Sequence, residues 1–188
     1  MNLLTLEQAR VLLEKHLQDK NNRIHSRESE VVLRGLAKHF GEDEDMWGMA
    51  GLLHDLDWEQ TAENPSQHGI RTLEILKEEG VEIPEEVGRA ITAHNEMHTG
   101  VKRESRLDYA LAAGESITGL IYAYALMRPD KLSGMKASSL NKKFKDKNFA
   151  ANVSRELIND ITTTGLERSD FFNIAIEAMQ GIASEIDL

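Results

Sequence analysis

The 188-residue chain contains no cysteine. Disulfides, thiolate metal ligands and a cysteine nucleophile are therefore excluded together, and any bound metal must be held by imidazole or carboxylate. There is also no apolar run approaching the roughly 20 residues that a membrane helix needs. The opening Met1–Leu4 meets Glu7 and Arg10 too soon for a signal peptide, so a soluble, cytoplasmic protein is expected. Neither Walker spacing nor a glycine-rich phosphate loop occurs, which removes the common nucleotide cradles. Positive charge is scarce as well: the formal net charge is -10, a field that repels polyanions and argues against general DNA or RNA binding. A small phosphorylated substrate remains compatible with it.

What is present is ordinary globular material, with 40% hydrophobic and 29% charged residues. At this length folding buries roughly 70% of the unfolded surface, enough for one self-sufficient core. The expectation is a single domain over residues 1–188, without internal repeats or low-complexity tracts. The one basic stretch runs from Lys131 to Lys147 and reads as a solvated helix face.

Apolar spacings of three and four recur from end to end while strand-like alternation does not persist, so the fold class is all-α. Thr5 with Glu7 and Gln8 begins a first helix whose stripe is Leu6, Ala9, Leu12, Leu13 and Leu17. A second contains His25 and ends near Gly41. Asp43 or Asp45 starts a third, which delivers His54 and Asp55 where helix becomes loop. Ser66 is the expected N-cap of a helix carrying His68, Leu73 and Leu76, and Pro84 opens another through Ile91 and His94. A long apolar helix from Glu104 to about Leu126 is central; shorter helices follow near Ser154 to Thr163 and from Arg168 to Ile186.

His54 and Asp55 close the apolar run Met49-Ala50-Gly51-Leu52-Leu53, so two costly polar side chains end a segment that belongs in a core. Burial requires partners, and a divalent ion is one. His25 precedes the pair by about one helix and a turn, while His68, His94 and Glu115 follow on separate elements. The order His25, His54–Asp55, then a carboxylate in Ala112-Ala113-Gly114-Glu115-Ser116-Ile117-Thr118-Gly119 resembles the HD superfamily of metal-dependent phosphohydrolases over about residues 20–126. The resemblance is to hydrolases of that superfamily without an assigned substrate.

The resemblance implies a compact multi-helix HD bundle with a C-terminal helical extension over about 127–188. It implies one divalent ion (Mn, Mg, Fe, Co, Ni or Zn) held by His25, His54, Asp55 and Glu115. It also implies hydrolysis of a nucleotide or another small phosphoester by a metal-activated water. Asp55 is both ligand and orienter of that water; Glu59 and His94 are further catalytic candidates, and His68 and Arg27 candidates for the substrate phosphate. Arg27 has an alternative as the partner of Glu28 or Glu30; Asp57 joins Glu59 as a candidate for orienting water or receiving a proton, and both have the alternative of accepting first-turn hydrogen bonds or facing solvent.

Three departures from the superfamily pattern bear on this reading. Glu115 stands where Asp is common, with Asp108 two turns earlier as an alternative carboxylate more suited to pairing with Arg103 or Arg106. Asn95 follows His94 where the binuclear members have a second histidine, and no Gly-Lys follows the His-Asp pair, which favours one ion over two. His94 and His98 lie four apart, but the glutamate between them is not the residue after the first histidine, so the zincin pattern is absent. The alternative function, kept open by Glu115, is an HD-type module that senses a ligand or binds a protein without turnover.

Overall fold

The structure is a computed structural model that describes residues 2–188. It is all-α, and the departure among the described residues is a two-residue parallel ladder pairing β1 (Asn2–Leu3) with β2 (Val81–Glu82). Helix α1 (Leu6–His16) begins at Thr5, whose hydroxyl and Gln8 form a reciprocal capping box. Asp19 caps α2 (Lys20–Phe40) by accepting from Asn21 and Asn22, so the polar stretch that ends one helix also starts the next. Gly41, at φ 72°, supplies the left-handed residue that stops α2. Asp43 caps α3 (Glu44–Leu53), and His54 follows as its last helical position.

Beyond the motif come α4 (Trp58–Thr61), a 3-10 turn at Pro65–Gln67, α5 (Ile70–Glu78), α6 (Glu85–His94) and α7 (Glu96–Thr99). Ser66 does not cap α5: its hydroxyl bonds Asn64, and Gly69 occupies the N-cap at φ 86°. The reason is tertiary, because the amides that open α5 are taken by the carboxylate of Asp57. The long α8 (Arg106–Leu126) starts in a capping box between Ser105 and Asp108. It is followed by α9 (Ala137–Lys145), α10 (Arg155–Asp160), a 3-10 turn at Ile161–Thr164, and α11 (Arg168–Gln180), shorter than the periodicity suggests.

Helix α2 is the hub, packed against α3, α8 and α11, while α6 and α10 lie against α8. One buried hydrophobic cluster runs from Leu4 and Leu13 through Leu33, Leu52, Ile91, Leu111 and Ile117 to Phe171 and Ile186. The tightest crossing is at Gly51, where an added Cβ would lie 2.5 Å from the Ser29 carbonyl oxygen of α2. Only glycine permits this approach, and it brings the C-terminal end of α3 against α2 beside His25. No described helix is long and apolar enough to cross a membrane.

Candidate metal centre

Four histidines and two carboxylates from five elements converge at one end of this crossing. His25 comes from α2, His54 and Asp55 from the end of α3, His68 from the loop before α5, His94 from the last turn of α6 and Glu115 from α8. The Nε2 atoms of His25 and His54 are 3.2 Å apart, and His54 Nε2 lies 3.3 Å from Asp55 Oδ1. On the other side of Asp55, its Oδ1 is 3.1 Å from His68 Nε2 and 3.8 Å from His94 Nε2, and those two nitrogens are 3.0 Å apart. Glu115 Oε2 stands 3.9 Å from His25 Nε2.

The opposite ring nitrogens decide what these contacts are. His54 Nδ1 donates to the Gly51 carbonyl at 2.8 Å, and His94 Nδ1 donates to the Ile91 carbonyl. His68 Nδ1 donates to Asp57 at 2.8 Å. The Thr118 hydroxyl gives its proton to the Glu115 carbonyl, leaving its oxygen to accept from His25 Nδ1 at 3.1 Å. Each imidazole therefore carries its proton on Nδ1 and turns an Nε2 lone pair inward. Lone pairs facing one another at 3.0 to 3.2 Å, with a carboxylate between them, are repulsive unless a cation is shared. At metal–ligand distances of about 2.1 Å, neighbouring ligands sit about 3.0 Å apart in an octahedron and about 3.4 Å in a tetrahedron. The residues fit a divalent ion.

Two donor triads meet this description, His25–His54–Asp55 and Asp55–His68–His94, each with ligand atoms within 4.8 Å of one another. Asp55 belongs to both. The inventory thus exceeds the single set expected from the sequence, because His68 and His94 also turn toward Asp55.

The electrostatics follow from burial. Burial and the neighbouring His54 lower His25 to about 4, against the attraction of Asp55, and the same desolvation with His54 and His68 lowers His94 to about 3. Burial works against ionised Asp55, yet His54, His68 and His25 outweigh it and hold the carboxyl well below its ordinary range. For His68 burial is likewise outweighed, by Asp55 and Asp57, and the ring is pushed up to about 10. Burial raises Glu115 to about 7.

Two sequence candidates lie elsewhere. Glu59 is exposed and accepts from the backbone amides of Gln18 and Asp19 and from the Asn22 side chain, so it braces the start of α2 instead of reaching a water beside Asp55. Arg27 pairs with Glu30 and Glu185. Two residues along a helix is a turn of about 200°, which carries Arg27 away from the face that presents His25. Asp108 is also remote: fully buried at the start of α8, it pairs with Arg89 at 2.6 Å rather than with Arg103 or Arg106.

A cavity of about 430 Å³ opens over the cluster, lined also by Asn22, Trp58, Asn95 and Leu157. Sequence reasoning passed over Asn22, Trp58 and Thr118, although simple signals existed. Asn22 precedes His25 by three on α2, Thr118 follows Glu115 by three on α8, and Trp58 is a half-exposed aromatic three residues past Asp55.

A family profile described as HD domain matches residues 23–133, more than half of the chain. No curated protein and no solved structure matches it.

Proposed function

Since the chain belongs to the HD-domain family, we propose that it is a metal-dependent phosphohydrolase acting on a nucleotide or another small phosphoester. The observation that carries this reading is the inward turn of four Nε2 lone pairs around Asp55, each fixed by an acceptor on the opposite nitrogen. His25, His54 and Asp55 form the primary ligand set, with Glu115 on its fourth side. A divalent ion held there would act as a Lewis acid on a phosphoryl oxygen and lower the pKa of a water. Asp55 orients that water through its carboxylate, and Gly51, Thr118, Ile91 and Asp57 keep the four rings from rotating. Trp58 and Leu157 add apolar surface to the lining of the cavity.

His68 and His94 flank the reacting phosphate in a one-ion form. The Asp55–His68–His94 triad is the specific observation that favours a two-ion form, in which both become ligands. Elemental analysis separates the two by returning one or two equivalents per chain. Leu157, which lies beyond the family-matched segment, reaches the same cavity; we therefore read residues 1–188 as one functional unit.

The test is hydrolysis of a panel of nucleotides and phosphodiesters by the purified chain with Mn²⁺, Mg²⁺ or Co²⁺ added. Metal-dependent turnover that disappears in Asp55→Ala is expected. Undiminished turnover in that variant would remove the site assignment, and metal uptake without turnover on any phosphoester would leave a non-catalytic HD module.

A further inference from the structure

A second cavity, of about 460 Å³, adjoins the one above the metal cluster, and the two share His94, Asn95 and Leu157 as a common wall. The volume falls within the range of small-molecule sites. It is lined by residues of α7 and the start of α10, among them Met97, 90% exposed, and Leu157. Met97 and Leu157 give this cavity an apolar component beside the cluster of metal donors. The two adjoining cavities, taken together as one groove, offer a donor-lined end at Asp55 and an end that Met97 and Leu157 make more apolar.

The charges along this groove are nearly all of one sign. Among the described residues lining the two cavities, Arg103 is the sole lysine or arginine. It is already engaged, by Glu96 at 3.2 Å and by Asp160 at 3.3 Å. Glu96 and Glu156 line the more apolar end, and Glu156 has no hydrogen-bond or ion-pair partner among the described residues. The basic residues elsewhere do not compensate. Arg23 binds the carbonyls of Leu17 and Gln18, and Arg27 and Lys20 pair with Glu185 and Asp187 around a different cavity. A substrate bound with one phosphate at the cluster would therefore push any further phosphate toward the unpaired carboxylate of Glu156, with no free lysine or arginine among the described lining residues to offset the repulsion.

We propose that this groove is the substrate site and that it selects a phosphoester with a single phosphate group and an uncharged organic part, the latter lying against Met97 and Leu157, while nucleoside di- and triphosphates are rejected. This rests on the phosphohydrolase reading and deepens it. Glu156 is the discriminating residue, and it comes from the C-terminal extension outside the family-matched segment.

The experiment compares adenosine 5′-mono-, di- and triphosphate with the full chain at fixed free Mn²⁺, by calorimetric titration and by phosphate release. Affinity and kcat/KM for the monophosphate are expected to exceed those for the triphosphate by about tenfold or more, the equivalent of one misplaced charge contact. Glu156→Lys, a change at an exposed position, should narrow that ratio by raising triphosphate binding. A triphosphate bound or hydrolysed as well as the monophosphate overturns the inference, and so do an unchanged ratio in Glu156→Lys and a failure of all three nucleotides to bind. Monophosphate-selective binding without phosphate release would keep the selectivity and defeat the hydrolase reading alone.

Discussion

The carboxylate of Asp57 accepts the Nδ1–H of His68 at 2.8 Å while its other oxygen accepts the amides of Gly69 at 2.7 Å and Thr72 at 3.1 Å. One fully buried side chain thereby caps α5 and aims an imidazole at Asp55. Both tasks need an acceptor on each oxygen, which an ionised carboxylate supplies and an amide does not.

Asp57→Asn is therefore expected to turn an amide N–H either against the backbone donors of α5 or against His68. Outer partners of this kind are typically worth about 10- to 100-fold in metal affinity. In the two-ion form, where His68 is a ligand, direct titration of Mn²⁺ into the variant should show a loss in that range, accompanied by a lowered melting temperature. Unaltered metal affinity would assign His68 to the phosphate in the one-ion form.

Gly51 allows a second test, one in which geometry and site are coupled. A Cβ there meets the Ser29 carbonyl oxygen at 2.5 Å and the Glu30 amide nitrogen at 2.9 Å, both backbone atoms that cannot swing aside. Gly51→Ala should force α3 from α2 and destabilise the fold by on the order of 2 kcal/mol or more. Because the Gly51 carbonyl also holds His54, the metal response should weaken in the variant molecules that do fold. Chemical denaturation with and without Mn²⁺ reads both effects.

Much of this architecture was legible because its signals are local. Thr5, Asp43 and the apolar stripes of α1 to α3 specify starts and faces within a few residues, and His54–Asp55 at the end of an apolar run marks a polar pair in need of partners. The failures share one cause. Ser66 has the chemistry of a cap, but the amides of α5 are claimed by Asp57 from twelve and fifteen residues away. Glu59 and Arg27 are close in sequence to the motif, yet the direction of the chain after Asp55 and the rotation of α2 point them elsewhere. His68 and His94 were recognised as candidates, whereas their approach to Asp55 depends on how α5 and α6 fold back, which their own neighbours do not encode.

The lone pairs at the cluster predict how the protein answers to metal. An ion that binds the folded chain at about one hundred times its dissociation constant adds about 2.7 kcal/mol of stability. For a chain of this size that is an upward shift of about 5–10 °C in the melting temperature. Scanning calorimetry with Mn²⁺ or Zn²⁺ should show it, and Asp55→Ala, which removes the carboxylate common to both triads, should abolish it. A shift of equal size in that variant would place the bound ion elsewhere.

Glu28 carries a prediction independent of the site. It is buried on α2 with Oε1 lacking a hydrogen-bond partner, and burial pushes its carboxyl up to about 8 from an ordinary 4.5. Between those two values the folded chain keeps a proton that the unfolded chain has released. Stability associated with this group is therefore fully present below about pH 4.5, declines as pH rises, and is lost above about pH 8. The slope in that window is about 1.4 kcal/mol per pH unit. Glu28→Gln cannot titrate, so the difference in unfolding free energy between the variant and the parent should move steadily in the variant's favour across the window and flatten beyond it. Urea denaturation from pH 5 to 9 measures that difference directly, since the other ionisable groups contribute equally to both proteins. A difference independent of pH would mean that Glu28 titrates in the folded chain as it does in the unfolded one, and that its Oε1 is hydrated in solution.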